Sequence, residues 1–368
     1  MEWAGAFGDL GTLLPFVIAY VSIVKMDPFG ILFSIGLVLI ACGLYYRTPF
    51  PIQPMKAIGA VAATQAAQTA VVTPSTIHCA SLATGLIWLI LGMTGATRVI
   101  ARWVPRCVIL GIVVGLGFSF MLQGIRMMAQ NWWMAAPGLL GTVLLLRNRR
   151  VPVMFLLLLF GGIWGLVTQP GLIDALVSIR PRLRMPNFNF SDVSAHELLL
   201  GSLVLSLPQL PLTLGNAIIA IHEENNRLFP DRPVTEDGVA RSTGVVNLTA
   251  FLFGGIPICH GAGGMAGHVA FGARTGGAPI ILGVILLISA LFFSGSIATL
   301  FEVIPSPVLG IILFLTGAQL ALGSGDLSQD KTERFITLAT AAFSVWNVAL
   351  AFIAGLAFSL LRRCGLRL

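Results

Sequence analysis

Charge is what this chain most lacks. Its 368 residues include 22 Lys and Arg and 15 Asp and Glu, together 10% of the total. A soluble domain carries about 25%, so a large water-facing surface is excluded. Cysteine is sparse as well: five residues, at 42, 79, 107, 259 and 364, with no CxxC pair. They read as buried thiols in apolar runs, not as a disulfide framework. Cys259, His260 and His268 have no carboxylate or second cysteine at ligand spacing, so no metal is expected. HExxH and GxSxG are both missing, and the Cys259-His260 pair has no third orienting group. An enzyme is therefore not expected, nor a cofactor. The net charge of +7 is scattered over loops rather than gathered into a patch, which argues against nucleic acid as a partner.

What is present is apolar. Hydrophobic residues make up 56% of the chain, and mean hydropathy is +0.91. The composition predicts an all-α polytopic membrane protein with the lipid bilayer as its surroundings. Fourteen hydrophobic segments can be read, at 9–25, 28–46, 55–71, 76–96, 105–124, 132–146, 151–168, 197–221, 239–254, 261–273, 278–295, 305–323, 333–346 and 347–361. With the N-terminus inside, sixteen Lys and Arg fall on the inner side and five on the outer, while Lys56 stays within a segment. That bias predicts a cell membrane protein with both termini in the cytoplasm.

Two stretches interrupt the pattern. Pro49–Ala60 reads PFPIQPMKAIGA, and Gly255–Phe271 reads GIPICHGAGGMAGHVAF. In each, proline stops an incoming helix and small residues let a new one begin. Unpaired backbone at bilayer depth is tolerated only against protein or a polar cavity. These stretches are therefore expected to form broken half-helices at 51–71 and 256–273. Their N-termini carry partial positive charge and suit a small anion.

The breaks lie about 200 positions apart, and other landmarks recur at a similar offset. GDLGTL (8–13) corresponds to PQLPLT (208–213), and PRCVILGI (105–112) to PSPVLGI (305–311). Seven segments per half is odd, so the halves, 1–168 and 197–368, are expected to form an inverted repeat joined by a linker at 169–196.

Candidate site residues follow from this frame. Lys56, two residues after Pro54, either attracts the anion or snorkels to the interface. Asp9 is either a cap or interfacial residue, or else a proton carrier or a partner for Lys56. Gln209, Thr213 and Asn216 recur at helical spacing and form either a cavity wall or polar glue between helices; Thr12 holds the matching place in the first repeat. His260 is expected to donate a hydrogen bond to the substrate or to a backbone carbonyl. Gly261, Gly263 and their small neighbours would let backbone approach a ligand closely.

At AGAFGDLGT (4–12), PFPIQPMKAIGA (49–60), LPQLPLTLGNAIIA (207–220) and IPICHGAGGMAGHVAFG (256–272) the sequence resembles the molybdate transporter family, related to the sulfate permeases. The resemblance covers essentially the whole chain. It implies the seven-plus-seven inverted-repeat fold of sulfate and nucleobase permeases, with a substrate-carrying core (1–96 and 197–295) and a gate (97–168 and 296–368). The residues read above point to transport of a small anion by alternating access, and the resemblance implies that the anion is molybdate; Thr12, Gln53, Lys56, Ala57, Gln209, Thr213, Asn216, His260, Gly261, Ala262 and Gly263 are expected at the substrate, with Asp9 as the coupling candidate. A sulfate or broader oxyanion transporter is the alternative, and a passive anion channel a rival of another class. No residue pattern separates the sizes of molybdate and sulfate. A co-transported proton and a homodimer stay open as partners.

Overall fold

The computed structural model describes residues 2–64, 72–97, 105–145, 153–169, 171–188, 193–322 and 328–363. The order in the first half is α1 (Glu2–Ala6), a 3-10 turn (Phe7–Asp9), α2 (Leu10–Ser22), α3 (Pro28–Tyr46), β1 (Gln53–Pro54), α4 (Lys56–Thr64), α5 (Pro74–Thr94), α6 (Arg106–Met128), α7 (Trp132–Leu145) and α8 (Val153–Thr168). After α9 (Gly171–Val177) come α10 (Ala195–Leu228), α11 (Glu236–Leu252), β2 (Ile258–Cys259), α12 (Ala262–Ala270), α13 (Gly277–Phe293), α14 (Ile297–Glu302), α15 (Ser306–Leu322), α16 (Lys331–Trp346) and α17 (Val348–Arg363).

Local chemistry sets many of these ends. Asp27 and Thr73 cap α3 and α5, each with proline at the first helical position, where a missing N–H costs nothing. Gly95, with φ of 69°, ends α5 in the left-handed conformation.

Among the described residues, five helices are long and apolar enough to cross a membrane: α3, α5, α6, α10 and α13 with the turn after it. The number is seven if the bent pairs Glu2–Asp9 with Leu13–Ser22 and Leu156–Thr168 with Gly171–Val177 each count as one span. Several of the fourteen expected segments thus form helices too short to span alone. At the two Pro-rich breaks, α12 is nine residues long, and α4 begins at Lys56 and is described as far as Thr64.

Three intimate helix pairs join the two halves of the chain: α3 with α13, α5 with α11, and α6 with α15. Their backbones touch through glycine. A Cβ on Gly36 would lie 2.8 Å from the Gly283 carbonyl oxygen, and one on Gly283 2.7 Å from that of Gly36. Gly117 and Gly317 repeat the relation at 2.6 and 2.5 Å. Any side chain there would force the helices apart, and dispersion between close backbones is what holds helices together in lipid.

At the centre, β1 and β2 pair antiparallel, Gln53 opposite Cys259 and Pro54 opposite Ile258, and Met55 N–H donates to Pro257 O at 2.9 Å. Each strand runs directly into its helix, α4 or α12. Ile52, Met55, Ile58 and Ile258 around the crossing are fully buried.

Beyond α9, residues 180–184 of the expected linker lie along the end of α13. Arg182 and Arg184 N–H groups donate to Phe292 O and Leu291 O at 2.9 and 2.8 Å. The Arg184 guanidinium pairs with Asp27 and lies 4.9 Å from the centre of the Phe29 ring. An arginine that counts against the inner-side bias is therefore neutralised locally.

Candidate anion site at the strand crossing

Two-residue strands are too short to hold themselves, and side chains complete them. Asn247 of α11 acts as a surrogate neighbour for β2: its Oδ1 accepts from Ile258 N–H at 3.0 Å, and its Nδ2 donates to Ile258 O at 2.6 Å. His260 braces the approach to β1. Its Nδ1 donates to Pro51 O at 3.0 Å, because a carbonyl can only accept. Nε2 must then accept from the Ser242 hydroxyl, 2.9 Å away. Both nitrogens are used, and the ring is fully buried beside Phe50 and Tyr46. Of the two roles expected for His260, the structure shows the bond to a backbone carbonyl.

The start of α4 is held from α10. Gln209 Oε1 accepts from Ala57 N–H at 2.8 Å and from Ile58 N–H at 3.4 Å, while its Nε2 donates to Thr213 Oγ1 at 2.9 Å. Helix starts leave such N–H groups without intrahelical partners, and Gln209 satisfies two of them. Both Gln209 and Thr213 are buried. Asn216, one turn further, is half-buried, with its Nδ2 3.2 Å from where a Cβ on Gly261 would stand. Residues 201–206 and 213–219 of α10 are π-helical, to either side of Pro208 and Pro211. A proline removes one ladder bond and crowds the preceding turn, and π-turns often mark functional positions.

Around the start of α12 the charged residues converge. Gln53 Nε2 donates to Asp9 Oδ1, and both side chains are buried. A Cβ on Gly264 would stand 2.8 Å from Gln53 Nε2 and 3.0 Å from Asp9 Oδ2. One residue earlier, a Cβ on Gly263 would meet Lys56 Nζ, at 3.8 Å, and no other described residue outside its own helical turn. Lys56 is 9% exposed; among the described residues its ammonium shows no hydrogen bond or close ion pair, and the Asp9 carboxylate is near enough to act on it electrostatically. Asp9 and Lys56 thus flank the same helical turn.

Gly261, Ala262 and Gly264 are buried, whereas Gly263 and Ala266 are exposed. Open space therefore reaches the buried ammonium along one small-residue face of α12. A separate cavity of about 940 Å³ lies towards the far end of α2, lined by residues such as Ala19, Gln123, Gln169 and Glu302, and does not include this cluster.

The structure thus brings Asp9, Gln53, Lys56, Ala57, Gln209, Thr213, Asn216 and Gly261–Gly263 to one place. Thr12 lies in α2, with its side chain outside the described residues. Asn247, Ser242 and the Pro51 carbonyl are additions that sequence reading passes over. An amide side chain in the otherwise mostly apolar run VVNLTAF was the available signal for Asn247.

A sequence profile of the family described as molybdate transporters of the MFS superfamily matches residues 1–120 and 201–320. Molybdate transporter 2 of Arabidopsis thaliana is 30% identical, covering 98% of this chain and 86% of its own length. Molybdate transporter 1 of Chlamydomonas reinhardtii is 27% identical, covering 96% and 90%. Among solved structures, the transmembrane domain of the cyanobacterial bicarbonate transporter BicA matches with a TM-score of 0.65 at 15% identity, covering 96% of each chain. The murine anion transporter Slc26a9, in its inward-facing state, matches with a TM-score of 0.71 at 13% identity, covering 99% of this chain and 68% of that one. At such identities the structural likeness is one of fold. The sequence matches go further, and by them the chain belongs to the molybdate transporter family of multi-pass membrane proteins, transporters rather than enzymes.

Proposed function

We propose that this protein is a secondary active transporter of molybdate, working by alternating access in the cell membrane with both termini cytoplasmic. The observation that carries the reading is the nine-tenths buried Lys56 ammonium facing the open first turn of α12. A tetrahedral dianion placed there meets a cation and a positive helix end together. Gln209, Thr213 and Asn216 form the α10 wall of the site, and Gln209 fixes the start of α4. Ala57 and Gly261–Gly263 contribute backbone, Gln53 links the strand crossing to Asp9, and His260 holds the crossing rigid.

The fold follows the same logic. Fourteen segments form a seven-plus-seven inverted repeat, with α4 and α12 as opposed half-helices. The core is 1–96 with 197–295, and the gate is 97–168 with 296–368. The two stretches matched by the family profile support this, being equal in length and 200 positions apart, as do the reciprocal glycine contacts. An ionised Asp9 repels an arriving dianion, and a proton taken up by Asp9 removes that repulsion. Transport is therefore coupled to protons. The likeness to the bicarbonate and Slc26a9 anion transporter structures keeps a broader oxyanion range, sulfate included, as the second reading.

Calorimetric titration of the purified protein with molybdate, tungstate, sulfate and uracil tests the proposal. Molybdate and tungstate are expected to bind and uracil not to bind. Lys56→Gln is expected to weaken molybdate by roughly ten- to a hundredfold, the about 1.5–3 kcal/mol of a charge-assisted hydrogen bond. Wild-type affinity in Lys56→Gln would move the site elsewhere.

A further inference from the structure

Molybdate and sulfate share charge and shape and differ in size, because Mo–O bonds are longer than S–O bonds. A site that tells them apart by fit needs a wall position where volume alone is adjustable. The glycines at the start of α12 differ sharply in this respect. Behind Gly261 stand Gln53 and Asn216, and behind Gly264 stand Pro51, with its Cβ 2.6 Å from an added methyl, Gln53 and Asp9. Those two positions are filled by the protein itself. Gly263 is exposed, and among the described residues the one neighbour outside its own helical turn within 4 Å of an added Cβ is the Lys56 ammonium.

We infer that Gly263 sets the size limit of the site: the volume left by its missing side chain, between the α12 backbone and Lys56 Nζ, is where the larger oxyanion fits and the smaller one fits loosely. The inference rests on the proposed anion site and adds the residue that selects within the oxyanion class. Two observations carry it, the open side of Gly263 and the buried ammonium facing it. An anion oxygen within hydrogen-bond reach of Nζ occupies the same space as a methyl on residue 263. Among the described residues that methyl would meet no other element, and alanine raises helix propensity over glycine, so the substitution is compatible with the fold.

The experiment compares molybdate and sulfate affinities of the purified full chain, wild type, Gly263→Ala and Lys56→Gln, with thermal unfolding as a check on folding. Gly263→Ala is expected to weaken molybdate by about tenfold or more, the discrimination one methyl group commonly provides, while sulfate holds or gains. Gly264→Ala, whose methyl would run into the strand crossing, is expected to lose both anions together. If Gly263→Ala shifts both anions equally, or neither, while Lys56→Gln still weakens binding, the size role is overturned and the site stands. If Lys56→Gln also binds both normally, the anion site itself is misplaced and the inference falls with it.

Discussion

Gln209 shows how one side chain can hold the start of a helix in another part of the chain. Its carbonyl oxygen rests on the Ala57 and Ile58 N–H groups at the start of α4, so in the empty protein it occupies donors that an anion could use. Removing it leaves buried donors unsatisfied, at a cost of about 1–3 kcal/mol. Gln209→Ala should therefore melt at lower temperature without ligand. Saturating molybdate should then raise its melting point by more than it raises that of the wild type, because the anion can take up the vacated donors. A smaller ligand-induced rise in the variant would mean that Gln209 contacts the anion directly. Sequence reading places Gln209 on a polar face with Thr213 and Asn216, and the structure puts it in the same cluster as them. The bond to α4 was beyond its reach, since it links positions 152 apart along the chain. His260 was open in the same way: residue type shows a donor in an apolar run, and only packing shows Pro51 and Ser242 on its two nitrogens.

At the scale of elements, hydropathy and proline reveal most helices and both central breaks. They miss the π-helical stretches of α10, because the pattern of apolar residues barely changes when a turn widens by one residue. They also miss how the short strands are kept in place, which is a matter for Asn247 on another helix.

Helix ends are more readable, and α16 gives a testable case. Its cap Asp330 accepts from Thr332 and Glu333 N–H groups at 2.7 and 3.3 Å, and Arg362 near the end of α17 pairs with both Asp330 and Glu333. The Thr332 N–H, followed by that of Glu333 and by Arg362, holds the Asp330 carboxyl below its ordinary range. A lowered carboxylate pKa in the folded state stabilises above the unfolded value and loses that contribution as pH falls through the folded one. The Asp330 contribution to thermal stability should be flat above about pH 5 and fade below about pH 4, given an ordinary aspartate near 3.9. Melting curves of wild type and Asp330→Asn should differ near neutrality and converge in acid. A gap that stays constant into acid would show that the charge is irrelevant. High salt should narrow the neutral gap, since this cluster is partly exposed.

For the whole molecule, the proposed coupling gives the clearest measurement. In proteoliposomes an inward proton gradient should accelerate molybdate uptake by the wild type, and Asp9→Asn should transport without responding to the gradient. A wild type indifferent to the gradient, or an Asp9→Asn variant as responsive as the wild type, would remove Asp9 from the coupling. At this scale the sequence is informative because the landmarks recur in the same order in both halves. What it leaves dark is how those halves meet, since helix pairing depends on which small residues face one another.

The glycine contacts carry a historical consequence. Gly117 and Gly317 are separated by 200 positions, the offset that relates the recurring landmarks, and each backbone closes on the carbonyl of the other. Under the proposed inverted repeat these two are corresponding residues, and such residues touch each other only next to the rotation axis that exchanges them. A chain of half this length, meeting a second molecule of itself upside down in the bilayer, would set that glycine against its own twin. The contact has the form expected of a dimer that predates the fusion of two gene copies.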